Sequence, residues 1–306
     1  MFLENSEFTA RPLTSKFHDL QPIEYYVGEG TNALEIVILE SQKNPNKLVI
    51  QNAYINRRSG RATPILIVIK YNDQFFLCGP TGEKPDVVNT TDLEFVKRIC
   101  ISALRQTSRN IAINFILDCF TSLENDLPGI KNEGLVSNHE LSYGTKKRDD
   151  WENASDNSQR VIGKTKKDLL ISLGFKSKPL DNLTELLTDK DERTALAVLL
   201  NNNEVPESSQ ERFNNLSPVS YALTKADKER LPWVIFVQED KIRLYSTQNI
   251  GVGRRGRTES FIECQTSMLS KSSQALLWLI FSSKALQKNN FKLSKKAGRT
   301  NRVSGK

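Results

Sequence analysis

The segment Thr63–Tyr71 (TPILIVIKY) constrains the fold more than any other stretch of the chain. Its near-continuous run of β-branched residues suits a strand covered on both faces, since neither side of the pleat offers polar groups to water. Such a strand needs partners in a sheet and layers above and below it, so helices must flank that sheet. Tyr71-Asn72-Asp73 turns the strand into Gln74–Cys78, which predicts a hairpin. GPTGEKPD follows as a loop, punctuated by its glycines and prolines.

Around this strand the periodicities predict further elements. Ile23–Val27, Ala33–Glu40 and Lys47–Tyr54 read as strands rich in Ile, Val and Tyr. Thr91-Asp92-Leu93-Glu94 has the form of a capping box with Thr91 as the cap. Leu93, Val96, Ile99, Cys100, Ala103 and Leu104 follow at helical spacing, and a second helix is predicted over Asn110–Leu123. Further on, helices are predicted over Thr165–Leu173, Arg193–Asn201 and from Ser217-Pro218 to Arg230, the last with serine as cap and proline at its first position. Trp233–Val237 and Ile242–Tyr245 form a second predicted hairpin, Phe261–Cys264 another strand, and Gln274–Leu286 an apolar helix. No repeat of about 20 to 50 residues is evident.

These elements predict an α+β or α/β protein with a mixed β-sheet flanked by helices. Residues 1–22 read as an irregular N-terminus and 23–123 as a strand-rich half with two helices. Residues 124–158 read as a polar linker or long loop, 159–287 as a helical and then β-hairpin half, and 288–306 as a basic, disordered tail. From Cys264 to Lys306 there are nine bases and no acid, so the net charge of +7 resides in this tail. No run approaches the roughly 20 apolar residues that span a bilayer. The opening MFLENSEFTARPLTSK lacks the basic and apolar regions of a secretory signal, so the expected location is the cytoplasm.

Catalytic sets are sparse. The scattered cysteines (Cys78, Cys100, Cys119, Cys264) read as buried free thiols, and with only His18 and His139 beside them a zinc site is not expected. Gly251-Val252-Gly253-Arg254-Arg255-Gly256 matches G-x-G-x-x-G, but the residues after it alternate like a strand where a dinucleotide site needs a helix. The arginines are more informative. Arg254, Arg255 and Arg257 sit among glycines, and Arg57, Arg58 and Arg61 surround Gly60 ahead of the buried strand. Glycine lets a backbone approach a phosphate and arginine supplies a planar fork of donors, so both loops are candidate contacts to a DNA backbone.

A Mg²⁺-dependent nuclease of the PD-(D/E)-x-K type needs one acid, then acid-x-lysine on a neighbouring strand. Glu239-Asp240-Lys241 fits the short motif, with Asp227 or Glu35 as the additional acid, although a hairpin turn is expected there. Glu40 and Lys43 are spaced one residue too far apart. Neither histidine accompanies a nucleophile motif, and no pair among the 36 acids stands out for glycoside chemistry.

The phrases GRATPILIVIKYNDQFFLCGPTGEKP, KNEGLVSNHEL, LSPVSYALTKADKERLPWVIFVQEDKIRLY and GVGRRGRTESFIE carry a resemblance. Over residues 32–286 the chain resembles the N-terminal region of bacterial single-chain, type IIG-like restriction–modification proteins, which carry an adenine-N6 DNA methylase domain further along. The resemblance implies a sheet near the restriction-endonuclease fold, closed by a strand pair whose counterpart here ends in Ile242-Arg243-Leu244-Tyr245. It also implies DNA and a methylase domain or subunit as partners. The Asn-Pro-Pro-Tyr phrase of those methylases does not occur here, so methyltransfer by this chain is not expected.

Three functions follow as expectations. The first is a DNA-associated, non-catalytic module of a restriction–modification or phage-defence protein, with no cofactor. The second is the nuclease, with Mg²⁺, and the third is a protein-interaction subunit docking through Leu276, Leu277 and Phe281 of the C-terminal helix.

Overall fold

The computed structural model describes residues 1–4, 6–29, 34–106, 108–123, 127–248 and 256–287. The chain divides into two compact units. Met1–Gly129 with Ser267–Lys271 forms the first, and Ile130–Thr266 with Ser272–Lys306 the second. The expected class holds: each unit is a mixed β-sheet flanked by helices.

In the first unit the sheet order is β1 (Arg11–Pro12), β2 (Gln21–Val27), β3 (Glu35–Glu40), β4 (Ile65–Tyr71), β5 (Gln74–Gly79) and β6 (Asp86–Thr90). Only β3 and β4 run parallel, and α1 (Lys47–Arg58) joins them. The β-branched run is β4, fully buried from Ile65 to Ile69. Its alternate side chains feed two cores. Ile65, Ile67 and Ile69 pack with Ile50, Ala53 and Tyr54 of α1. Leu66 and Val68 pack with Phe95, Ile99 and Cys100 of α2 (Leu93–Leu104) and with Phe115 and Ile116 of α3 (Arg109–Leu123).

Two local expectations need correction here. The stretch predicted as a strand over Lys47–Tyr54 is helix α1. Asn46 caps it by accepting a bond from Val49 N at 3.0 Å, and Ile50, Ala53, Tyr54 and Arg57 recur at helical spacing on its buried side. The cap of α2 is Asp92 rather than Thr91, since Asp92 Oδ1 accepts from Phe95 N at 3.0 Å.

The second unit has the sheet order β7 (Ile130–Glu133), β13 (Phe261–Gln265), β12 (Lys241–Ser246), β11 (Trp233–Gln238), β10 (Glu192–Leu199), β9 (Glu185–Asp189) and β8 (Lys176–Pro179). The predicted helix over Arg193–Asn201 is strand β10. TALAVLL carries good helix formers, but Thr194 to Val198 are all buried and pair with strands on both edges, so tertiary context decides. Helix α6 (Pro218–Lys228) connects β10 to its parallel neighbour β11, capped by Ser217 as predicted. Residues predicted as a polar linker are partly ordered: they hold β7, a π-helical turn at Glu140–Gly144 and α4 (Trp151–Val161). Helix α5 (Lys166–Ser172) lies against β8 and β11. In α7 (Ala275–Phe281), Trp278 N donates to Ser158 Oγ of α4 at 3.1 Å. The predicted tail, 288–306, lies outside the described residues. Among the described residues no helix is long and apolar enough to cross a membrane.

The two sheets repeat one plan. Each runs through two antiparallel pairings, a parallel pairing across a helix, a hairpin, and a further antiparallel strand. The hairpins agree in register: Tyr71 faces Gln74 as Gln238 faces Lys241, each across a two-residue loop whose first residue is left-handed (Asn72 φ 49°, Glu239 φ 51°). By this register Arg243 occupies the place of Phe76, and Tyr245 that of Cys78. The repeat is one of topology and far longer than the periods that reveal a solenoid.

Gly79 fixes the end of β5 with φ +144°, and a Cβ there would lie 2.3 Å from Ile65 O of β4. Gly79→Ala therefore combines strain with a backbone clash. It should lower the unfolding free energy by about 2 kcal/mol or more, read from urea denaturation. All four cysteines are buried and none is in a disulfide. Burial pushes the Cys78 thiol up to about 12 and those of Cys100 and Cys264 well up also. No thiol should react with an aromatic disulfide at pH 8 in the native protein, and all four should react once it is unfolded.

Candidate nucleic-acid interface

The first arginine loop grows out of the C-terminus of α1. Ser59 N donates to Ile55 O and Arg61 N to Arg58 O at 2.8 Å, while Gly60 takes φ +73° to reverse the chain. A Cβ at Gly60 would meet nothing within 4 Å, so its backbone is open to an approaching group.

The three arginines of this loop have different roles. Arg57 is only 7% exposed. Its Nε donates to Glu35 Oε1 at 2.5 Å, its Nη1 to Ser15 Oγ at 2.8 Å, and its guanidinium lies 5.0 Å from the Tyr25 ring centre. A group so enclosed is a core ion pair and cannot reach a phosphate, which corrects the expectation for this residue. Arg61 bonds the other oxygen of Glu35 at 3.0 Å while its side chain stays 43% exposed. Arg58 Nη1 donates to Gly82 O at 2.7 Å, with its guanidinium 5.9 Å from the Tyr54 ring centre. Among the described residues no carboxylate pairs with Arg58. Burial raises the pKa of Tyr54, against the lowering pull of Arg58.

Arg58 and Arg61 line a groove of about 700 Å³ together with Tyr54, Ile55, Gly60, Gly82 and Glu83. One carboxylate, Glu35, serves two guanidiniums, so the loop keeps positive charge. Directional donors beside open backbone can hold a phosphate or a carboxylate.

The second loop is less visible. Arg254 and Arg255 lie outside the described residues, as does most of the G-x-G-x-x-G match. Arg257 is held by Asp227, with Nη2 2.8 Å from Oδ2 and Nη1 3.1 Å from Oδ1, and by Thr247 O at 3.0 Å. This is the acid pairing that competes with a phosphate role.

The nuclease candidates are dispersed. Glu239 stands in the β11–β12 turn, 2.9 Å from Lys166 Nζ. Lys241 opens β12 nearby, but Asp227 sits with Arg257 and Thr247 at the other end of that hairpin, where Thr247 N donates to Pro232 O. Glu35 belongs to the other unit, engaged by Arg57 and Arg61. Glu40 pairs with Lys70 at 3.7 Å, and Lys43 lies after it on the wall of a cavity of about 630 Å³. Among the described residues no group of three His, Cys, Asp or Glu is placed to hold a metal ion. His18 meets Asp19 at 2.9 Å on the surface, and the ring of His139 lies beside Tyr143. Leu276, Leu277 and Phe281, expected as an exposed docking face, are fully buried.

One cluster escaped the sequence reading. Arg243, from the Arg-Leu-Tyr phrase, bonds Glu263 Oε2 at 2.7 Å and Glu207, and lies 4.1 Å over the Phe261 ring. It donates to the Tyr245 hydroxyl at 3.1 Å, which burial pushes up to about 12 against the lowering pull of Arg243. A polar cavity of about 290 Å³, lined by Asn202, Gln238 and Lys241 among others, lies beside it. Glu263 faces Arg243 only through the β12–β13 register, which no local pattern announces.

Glu35→Gln should destabilise the protein by about 3–5 kcal/mol, because it leaves the Arg57 guanidinium buried beside a neutral amide. The double change Glu35→Leu with Arg57→Met should recover most of that loss in the same denaturation assay. Compared with known proteins, no family model matches the chain, and no curated protein or solved structure matches it significantly.

Proposed function

We propose that this chain is a DNA-associated, non-catalytic module of a restriction–modification or phage-defence protein. The observation that carries the reading is the Arg58–Gly60–Arg61 loop, where two exposed or half-buried guanidiniums flank open backbone in one groove. Three further features support it. The nine bases without an acid after Cys264 add a sequence-independent attraction for a polyanion. The chain's phrases resemble the N-terminal regions of proteins that act on DNA, and its mixed sheets flanked by helices accord with a nuclease-like sheet. The acid and lysine candidates for cleavage do not converge in either unit, which favours binding over hydrolysis. Within such a protein the methylase domain or subunit would supply the chemistry.

The test is a fluorescence-anisotropy titration on duplex DNA over a range of salt concentrations, followed by a gel with Mg²⁺. The slope of log affinity against log salt should be negative. In R58A/R61A it should be shallower by about 2, one step for each phosphate contact removed. Arg57→Ala is unsuitable as a probe because it perturbs the core. Salt-independent binding, or an unchanged slope in R58A/R61A, would remove the loop from the interface. Mg²⁺-dependent cutting would replace the module by an enzyme.

A further inference from the structure

The groove at the first arginine loop is shaped for more than a phosphate, and its walls specify a ligand. Its volume of about 700 Å³ falls within the range of roughly 300–1,000 Å³ that encloses small organic ligands, well beyond one phosphate group. One wall carries apolar surface: Ile55 of α1 is 48% exposed. Another is the Arg58 guanidinium, which donates to Gly82 O and lies 5.9 Å from the centre of the buried Tyr54 ring. A fixed guanidinium backed by an aromatic ring is a platform on which a flat heterocycle stacks. Arg61, anchored at one end by Glu35, adds a cation on the same groove. Glu83 lines it too. A carboxylate there disfavours a bare anion, but it accepts bonds from the amino groups on a base edge.

From these features we infer that the groove takes one unstacked nucleotide of single-stranded DNA. The base would lie against Ile55 and the Arg58 guanidinium, neighbours on one face of α1, with an edge toward Glu83, and a neighbouring phosphate would sit at Arg61 and the open backbone of Gly60. A paired base cannot enter, because its own neighbours cover both ring faces. The inference rests on the DNA reading above and narrows it to a strand form.

The experiment compares a fluorescein-labelled single strand of about 12 nucleotides with the duplex of the same sequence, using the full chain and its Arg58→Lys and Ile55→Ala variants. Circular dichroism checks that each variant is folded. Lysine keeps the charge of Arg58 and discards its plane, which separates stacking from simple attraction. The wild type should bind the single strand about tenfold more tightly than the duplex, the scale of one stacked base. R58K should lose about tenfold on the single strand and distinctly less on the duplex, where the lysine charge still meets a phosphate, and I55A should weaken the single strand by less than R58K does. Equal binding of both forms by the wild type, or equal weakening of both by R58K, would overturn the nucleotide site and leave a phosphate contact in its place. Binding of neither form at low salt would overturn the DNA reading itself.

Discussion

Everything in each unit is hung on one parallel pairing between doubly buried strands. In the first it joins β3 to β4 and in the second β10 to β11. Parallel neighbours cannot be linked by a tight turn, so a long crossover connection is obligatory, and α1 and α6 lie in those crossovers. The helix covers one face of the strand pair and leaves a second apolar face to be covered by others. The first unit does this with α2 and α3, whose side chains meet Leu66 and Val68. The loop that returns the crossover helix to the sheet must reverse direction close to the strand, and that places Arg58, Gly60 and Arg61 together at the end of α1. The candidate site is thus a by-product of the connection that the parallel pair demands.

The sequence was legible where burial and local chemistry agree. The run from Ile65 to Ile69, the β11–β12 hairpin and the Ser217-Pro218 cap all declare themselves through side chains that serve a single role. It misled where one residue type supports two structures. Lys47–Tyr54 has the Ile and Val of a strand, and its helix becomes visible only when Asn46 is read as a cap and Ile50, Ala53, Tyr54 and Arg57 as one face. Arg193–Asn201 has the Ala and Leu of a helix, and only the strands on either side decide otherwise. Site residues were harder still. Composition separates arginine from lysine, but it does not separate Arg57, locked to Glu35 and Ser15, from Arg58 one position later. Successive helix residues point about 100° apart, so one turns into the core and the next toward the groove.

The repeated plan explains how a single scaffold accommodates different surfaces. Phe76 in the first unit is a core residue packed beside Ile69 and Cys78. Its counterpart Arg243 needs partners that an apolar residue does not. It finds them in Glu263 on the neighbouring strand, Glu207 from the connection between β10 and α6, and the face of Phe261. The Tyr245 hydroxyl completes the set, standing where the first unit has the Cys78 thiol. A change from phenylalanine to arginine at a half-covered sheet position is tolerable only with such a set of acceptors already in register. The same strand order thus carries an apolar core position in one unit and a satisfied polar cluster in the other.

Buried and open arginines also divide the energetic work. The Arg57–Glu35 pair ties the end of α1 to the start of β3, and a pair so enclosed contributes position more than net stability. With Glu35 already engaged by Arg57, its second oxygen holds only one end of Arg61, whose side chain remains half in solvent. Arg58 is tethered through a carbonyl, which orients the guanidinium without neutralising it. A guanidinium held by a neutral acceptor loses little rotamer entropy when a ligand arrives, and it retains its full charge for that ligand. Charge alone would attract any polyanion. In the proposed nucleotide site, the tether, the Tyr54 ring and the open Gly60 backbone are what would turn that attraction into a preference for a flat group beside a phosphate.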